Sequence, residues 1–173
     1  MIPALSLLVL VQTTPPLKPV EIRPGLLVLP GSPDATTLAS LKSLGITHVI
    51  NLRHPSEGNF SSDVDAVRSS GAAYLSCPLN REPTSIELDA FRAQMSALRP
   101  GAKVLVHCAT GNRAAGALFA YWALNQGMPD GEALALARKA GLRNPATEAA
   151  VKAYVAARHS SAGHTRFSRE DSE

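Results

Sequence analysis

The stretch that decides the fold is Lys103-Val-Leu-Val-His-Cys-Ala-Thr-Gly-Asn-Arg113, together with the residues that follow it. Val104 to Val106 form an apolar run, which predicts a buried parallel strand. Residues 114–125 lack proline, are rich in good helix formers and end before Gly127, so they predict a helix. The turn between strand and helix gathers backbone N–H groups at a helix N-terminus, where the helix dipole favours anions.

Two side chains of this turn carry chemistry. The field at the helix N-terminus favours a thiolate over a thiol at Cys108, and the thiolate is the nucleophilic form of cysteine. Arg113 adds a planar, permanently charged guanidinium that can bind two oxygens of a phosphate-like group. A nucleophilic sulfur beside an anion-binding turn suits two reactions, phosphoryl transfer through a cysteinyl phosphate and sulfur transfer through a persulfide.

Strand and helix patterns alternate along the chain around this stretch. Strands are predicted at Leu26–Leu29, Ile46–Leu52 and Ala73–Cys77, and helices at Ala35–Leu44, 63–69, 84–98, 130–140 and 146–158. The helices carry capping signals, Asp34 for the first and Thr84 with Glu87 for the third. This alternation predicts an α/β domain whose parallel sheet is covered by helices on both faces. Ligands bind beyond the carboxyl ends of such strands, which places Arg53, Glu57, Cys77 and residues 80–82 on the face of Cys108.

The composition is that of an ordinary globular domain. The chain has 173 residues, of which 45% are hydrophobic and 18% charged, and its formal net charge is +3. This length suits one domain with its own core. No basic run with interleaved aromatic residues predicts a nucleic-acid surface. The two cysteines and five histidines show neither disulfide-framework nor metal-ligand spacing, so we expect no metal and no cofactor.

The two ends of the chain differ from residues 20–158, which are predicted to form the domain. Ile2 to Val11 is almost wholly apolar, about as long as the hydrophobic region of a signal peptide. Residues 1–16 therefore predict a signal peptide and a periplasmic or secreted protein. No Lys or Arg precedes Lys18, which favours the alternative, an N-terminal strand or extension of a cytoplasmic protein. Residues 159–173 are polar and predict a disordered tail.

Four motifs follow one another between Pro24 and Arg158: Gly25-Leu-Leu-Val-Leu-Pro-Gly31, Ile50-Asn-Leu-Arg53, His107-Cys108 and Gly111-Asn-Arg113. This order resembles the cysteine-dependent dual-specificity phosphatases. It is most similar to their bacterial branch, whose phosphatase-like domain also occurs fused to β-lactamase-like hydrolases. The resemblance implies a mostly parallel sheet of four to five strands flanked by helices. It also implies hydrolysis of phosphate monoesters, on a phosphorylated protein or a small phosphate ester, through a cysteinyl phosphate.

The resemblance assigns a role to each residue of the turn. Cys108 is the nucleophile, and Arg113 binds the phosphate together with the loop residues Ala109, Thr110, Gly111, Asn112 and Ala114. His107 either tunes the thiolate or only packs behind the loop. Arg53 either binds a substrate anion or forms an ion pair with Glu57 at the rim.

The chain departs from the phosphatase pattern in three ways. Four residues separate Cys108 from Arg113, where the family has five, and Ala114 and Ala115 supply no hydroxyl after the arginine. The expected aspartate that protonates the leaving group is missing, so Glu82, the nearby carboxylate, is predicted to serve as the acid. The loop C-x-x-G-x-R also resembles that of rhodaneses, but rhodanese domains close with a further strand. We therefore hypothesise a phosphatase, with a sulfurtransferase or a weakly catalytic phosphoanion-binding module as alternatives.

Cys77 ends the predicted strand that precedes the Cys108 strand in sequence. If the two strands are neighbours in the sheet, the two sulfurs approach bonding distance. Cys77 would then trap an oxidised Cys108 as a reversible disulfide. The alternative is that Cys77 faces the core as an ordinary buried residue.

Overall fold

The computed structural model describes residues 17–170, and their side chains as far as Ser161. Its elements follow in the order β1 (Val20–Arg23), β2 (Leu26–Leu29), α1 (Ala35–Ser40), β3 (His48–Asn51), a 3₁₀ turn (Pro55–Glu57), α2 (Ser61–Ser69), β4 (Ala73–Ser76), α3 (Ser85–Ser96), β5 (Val104–His107), α4 (Asn112–Asn125), α5 (Asp130–Ala140) and α6 (Pro145–Glu170). The predicted signal peptide lies outside the described residues, so export stays a prediction. Between residues 17 and 170, no helix has both the length and the apolar character needed to cross a membrane.

The sheet has five strands in the order β1-β2-β5-β3-β4. Strands β2, β5, β3 and β4 run parallel, and β1 pairs with β2 in the antiparallel direction. Every residue of β2 and β5 is buried, because helices cover both faces of the sheet at its centre. The predicted single α/β domain with a mostly parallel sheet is confirmed. The edge strand β1 was not predicted, because its half-exposed residues lack the apolar run that marks the central strands.

The two faces of the sheet carry separate cores. One face packs against α3, α4, α5 and α6, and its largest fully buried side chains are Trp122, Phe91 and Phe119. The opposite face packs against α1 and α2 through smaller side chains, among them Leu41 and Val67. Helix α4 is buried along most of its length, so the strand β5 and the helix that follows it form the centre of the domain.

The predicted helix starts are confirmed in atomic detail. Asp34 caps α1, since its carboxylate accepts a hydrogen bond from the Thr37 N–H at 2.7 Å. A capping box opens α3, where the Thr84 N–H donates to Glu87 Oε2 at 2.7 Å and the Glu87 N–H donates to Thr84 Oγ1 at 3.3 Å. These caps depend on residues at most three positions apart, which is why the sequence predicts them.

Helix α6 runs past the predicted helix end at residue 158 and into the predicted disordered tail, of which residues 171–173 lie outside the described residues. The helix continues without interruption to Glu170. His159 Nε2 lies 3.0 Å from Asp130 Oδ1 of α5, and the Ser160 hydroxyl donates to the Ala156 carbonyl at 3.1 Å. The start of the predicted tail is therefore held by contacts that its polar composition does not reveal.

Candidate active site

The loop from Cys108 to Gly111 joins β5 to α4 at the carboxyl edge of the sheet. Gly111 occupies the N-cap position of α4 with φ 86°, and its N–H donates to Cys108 Sγ at 3.1 Å. A Cβ atom at this position would lie 3.2 Å from the Pro30 Cα. Both the left-handed backbone and the close approach of the Pro30 backbone require glycine here.

Replacing Gly111 by alanine should lower stability by about 1–2 kcal/mol and reduce any turnover at Cys108 at least tenfold. The added methyl group would push the loop away from Pro30. The backbone N–H of residue 111 would then lie too far from Cys108 Sγ to donate its hydrogen bond. Gly127→Ala is the matched control, because Gly127 also has a positive φ, 62°, but nothing lies within 4 Å of its Cβ position. Urea unfolding of both variants measures the cost of backbone strain, and an activity assay measures the contribution of the loop to turnover. Equal activity losses in the two variants would contradict the assignment.

Cys108 lies beneath this loop and is fully buried. Cys108 does not line the cavity above the loop, whereas its neighbours Ala109, Thr110, Asn112 and Arg113 do. A substrate can therefore reach the sulfur only when loop atoms move aside.

Arg113, in the first turn of α4, has a guanidinium held in a fixed orientation. Its two terminal nitrogens donate to the two carboxylate oxygens of Glu57 at 2.5 and 2.7 Å, and Nη1 also donates to the Leu79 carbonyl at 2.9 Å. Hydrogen bonding to Glu57 raises the pKa of Arg113, burial opposes this, and negative charge at Cys108 raises the pKa further. The guanidinium also lies within hydrogen-bonding reach of Cys108, and this contact raises the pKa of Arg113 as well.

Glu57 is the acidic partner that orients this arginine. Its carboxylate also accepts from the His54 N–H at 2.6 Å, within the 3₁₀ turn that follows β3. Hydrogen bonding to Arg113 lowers the pKa of Glu57 to about 2, although partial burial opposes the shift. Glu57 is therefore ionised at neutral pH and the pair stays intact, but the carboxylate is a poor proton donor for a leaving group.

Arg53 does not form the predicted ion pair with Glu57. Its guanidinium instead pairs with Asp63 of α2, donates to Asn51 Oδ1 at 3.1 Å and lies 3.9 Å from the centroid of the Phe60 ring. It is nearly buried and does not line the cavity. Arg53 thus ties β3 to α2, and this structure does not support the alternative that it binds a substrate anion.

His107 is fully buried at the end of β5. Neither ring nitrogen makes a hydrogen bond within the described part of the chain. The pKa of His107 is lowered to about 3, mainly by burial and also by the positive charge of Arg53. The Cys108 backbone partly opposes this shift. A neutral imidazole cannot stabilise a thiolate by charge, so the structure favours the prediction that His107 packs behind the loop.

A polar cavity of about 670 Å³ opens above the loop. Its lining includes the predicted residues Glu57, Ala109, Thr110, Asn112 and Arg113. Asn80 and Arg81, which the sequence placed on the face of Cys108, also line it. Sequence reasoning missed five further lining residues, His54, Ser56, Leu79, Asn144 and Thr147. Gly111 and Ala114 are buried below the surface, and Glu82 is exposed outside the lining, so its role as the acid stays a prediction.

Asn112 explains how residues far away in the chain reach the site. Its Oδ1 accepts hydrogen bonds from the N–H groups of Arg143 and Asn144, at 2.7 and 2.8 Å. The Thr147 hydroxyl in turn donates to the Arg81 carbonyl at 2.8 Å. The α5–α6 connection thereby becomes one wall of the cavity. The sequence analysis assigned Asn112 only to phosphate binding and did not predict that its side chain holds the α5–α6 connection.

The predicted disulfide between Cys77 and Cys108 is contradicted by the strand order. Strand β3 lies between β4 and β5, and two strand spacings amount to roughly 9.6 Å. Disulfides need Cα atoms within about 7 Å. Burial, and to a smaller extent the negative charge of Glu87, raise the pKa of Cys77 to about 11. Its thiol therefore stays protonated at neutral pH. Cys77 is a buried core residue, as the alternative reading held.

The described residues contain no group of three or more His, Cys, Asp or Glu side chains placed to hold a metal ion.

No protein-family model and no curated protein matches this sequence, but solved structures do. A DUF442 protein from Shewanella putrefaciens CN-32, to which a phosphatase function is ascribed, has a TM-score of 0.64 at 25% identity and covers 80% of this chain and 91% of its own. A TpbA variant from P. aeruginosa, in complex with phosphotyrosine, has a TM-score of 0.63 at 21% identity and covers 83% and 86%. PTPMT1 in complex with PI(5)P has a TM-score of 0.65 at 17% identity and covers 82% and 98%.

These likenesses confirm the fold class as dual-specificity-phosphatase-like. The resemblance to cysteine-dependent phosphatases is thus confirmed at the level of the fold.

Proposed function

We propose that this protein hydrolyses phosphate monoesters through a covalent intermediate on Cys108. The observation that carries the proposal is the orientation of Arg113. Its guanidinium is held by Glu57 at the N-terminus of α4 and interacts with the sulfur of Cys108. A thiolate, a bidentate donor and loop N–H groups at one point make a site for a transferring phosphoryl group.

The proposed reaction has two steps. The Cys108 thiolate attacks phosphorus after the loop has moved aside, an S–P bond forms, and the bond from phosphorus to the ester oxygen breaks. The leaving alcohol takes up a proton. Water then attacks the cysteinyl phosphate, the S–P bond breaks, and inorganic phosphate leaves as the thiolate is restored. Arg113 stabilises the charge on the equatorial oxygens in both steps.

The proposal is tested by incubating the purified chain with p-nitrophenyl phosphate and measuring phosphate release. Acid-quenched protein is then digested, and mass spectrometry locates the covalent phosphate. Phosphate on the Cys108 peptide is the expected result. Turnover without any phosphorylated peptide would contradict the covalent mechanism.

Glu82 is proposed to protonate the leaving group. Glu82→Gln should slow alkyl phosphates by about 10²-fold or more, because poor leaving groups need a proton, and should barely affect p-nitrophenyl phosphate. Glu132→Gln, an exposed carboxylate on α5, is the control. Equal losses on both substrates would show that Glu82 acts structurally. The same comparison on His54→Gln would then follow, since imidazole is the commonest acid–base group and His54 lines the cavity.

Sulfur transfer is the second candidate, and the length of the loop favours it. Four residues separate Cys108 from Arg113, as in rhodanese-type loops. Against it, the described chain continues after α4 with α5 and α6 and adds no strand to the sheet. Incubation with thiosulfate and cyanide tests it directly, since the sulfane sulfur would pass to Cys108 with release of sulfite and then to cyanide, giving thiocyanate.

A further inference from the structure

The wall of the cavity differs from one built for an aromatic leaving group. Leu79 and Ala109 are the apolar lining residues, and the others carry hydroxyl, amide, imidazole or charged groups. Within the part of the chain that the structure describes, no aromatic ring lines this cavity. A phenyl ring would therefore find no stacking surface, whereas a polyhydroxylated alcohol would meet hydrogen-bonding groups.

Arg81 places a second positive charge at this cavity. Its backbone is fixed, because its carbonyl accepts from the hydroxyl of the fully buried Thr147 at 2.8 Å. Arg81 stands two residues after Leu79, whose carbonyl accepts from Arg113 Nη1, and two residues span at most about 7 Å. The two arginines therefore belong to neighbouring parts of the same wall.

The charges of these two arginines are balanced differently. Glu57 compensates the charge of Arg113 through two hydrogen bonds. Arg81 is exposed, and within the described residues it has no ion pair. An uncompensated guanidinium beside an anion site attracts a further anionic group.

Asn144, in the connection between α5 and α6, adds a polar group to the cavity lining. Its Oδ1 accepts from the N–H groups of Ala146 and Thr147, at 3.0 and 3.1 Å. Because the oxygen is engaged locally, its Nδ2 group is left to donate to a ligand at the cavity wall.

We infer that the substrate is a phosphorylated polyol that carries a second anionic group, and that Arg81 binds this second group. The inference rests on the proposed function, since it assigns the reacting phosphate to Arg113. A soluble sugar bisphosphate has this chemistry. So does a phosphorylated inositol lipid headgroup, whose phosphodiester is the second anion.

The test compares kcat/KM for fructose 1,6-bisphosphate with those for fructose 1-phosphate, fructose 6-phosphate and phenyl phosphate, an aromatic ester without a second anionic group. Vesicles of phosphatidylcholine with phosphatidylinositol 4-phosphate form the lipid arm. We expect the best bis-anionic probe to exceed both fructose monophosphates and phenyl phosphate by about tenfold or more, as one charge-assisted hydrogen bond allows. The arm with the higher kcat/KM identifies the source as soluble or lipid. Preference for phenyl phosphate, or equal values throughout, would overturn the inference.

Variants locate the effect at Arg81. Arg81→Gln should lower kcat/KM for the bis-anionic probe about tenfold, mainly through KM, and lower kcat/KM for the monophosphates much less. Arg81→Lys should restore part of the loss. Arg68→Gln, which removes an exposed arginine from α2, is the control and should change neither. Equal loss on mono-anionic and bis-anionic probes would mean that Arg81 is not specific for a second anion.

A binding measurement separates this inference from the proposed function. Calorimetric titration of the full-length Cys108→Ser chain with fructose 1,6-bisphosphate and with headgroup-bearing vesicles needs no turnover, and circular dichroism confirms its folding. If no probe is hydrolysed but a bis-anionic probe binds about tenfold tighter than fructose 6-phosphate, the proposed function fails and the assignment of Arg81 stands. Equal affinities for the two probes refute the assignment of Arg81 even if hydrolysis is observed. If Cys108→Ser does not fold, the same titration is carried out on the wild-type chain.

Discussion

Cys108→Ser should abolish turnover, by about 10³-fold or more, while the chain stays folded. A serine hydroxyl has nearly the shape of the thiol and can still accept the hydrogen bond from the Gly111 N–H, which is 3.1 Å from the sulfur. A serine hydroxyl is a much weaker nucleophile than a cysteine sulfur. The variant therefore keeps the anion-binding loop and loses only the nucleophile.

Cys77→Ala is the control for this experiment. Cys77 is also a buried cysteine, but it lies after β4, two strand positions from β5. It should cost some stability and leave kcat within about twofold of wild type, since no reacting group is removed. Steady-state kinetics and thermal unfolding on both variants decide the matter. Retention of most activity by Cys108→Ser would exclude Cys108 as the nucleophile, for phosphoryl transfer and for sulfur transfer alike.

Arg113→Lys should lower kcat/KM by about 10²–10³-fold, the range observed when one oriented donor to a transition-state oxyanion is removed. The ammonium of lysine is a point charge. It cannot donate in parallel to both oxygens of Glu57, as the guanidinium does at 2.5 and 2.7 Å, and also present a second edge to the substrate. Both kcat and the orientation of the loop depend on the Arg113 guanidinium, so the loss of kcat/KM should appear for every phosphate ester tested.

Arg138→Lys is the matched control for Arg113→Lys. Arg138 also makes a two-point contact with a glutamate, Glu148, at 3.1 and 2.6 Å, but this pair lies exposed between α5 and α6. Its replacement should change stability by less than about 1 kcal/mol and leave turnover unchanged. If both lysine variants kept wild-type kinetics, Arg113 would be a structural arginine, and the proposed function would lose the observation that carries it.

Short-range patterns in the sequence determined most of the fold. The apolar run at Val104–Val106 is buried on both faces of the sheet, so its residues do not alternate between apolar and polar. Such a continuous apolar run predicts a central strand. Helix boundaries at Asp34, Thr84 and Asp130 follow from caps and breakers within a few residues. The turn with Cys108, Gly111 and Arg113 could be located for the same reason, since a strand, a glycine and a helix start are adjacent in the chain.

Only the tertiary structure decided which side chains meet at the site. Strand order is set by packing of whole elements, so the sequence could not show that β3 separates Cys77 from Cys108. The same holds for the pairing of Arg113 with Glu57 and of Arg53 with Asp63. Each charge had several partners within reach along the chain, and the choice depends on the positions of β3, α2 and α4. Local patterns specify elements because their interactions lie within a few residues, whereas the site is assembled by contacts between residues far apart in the chain.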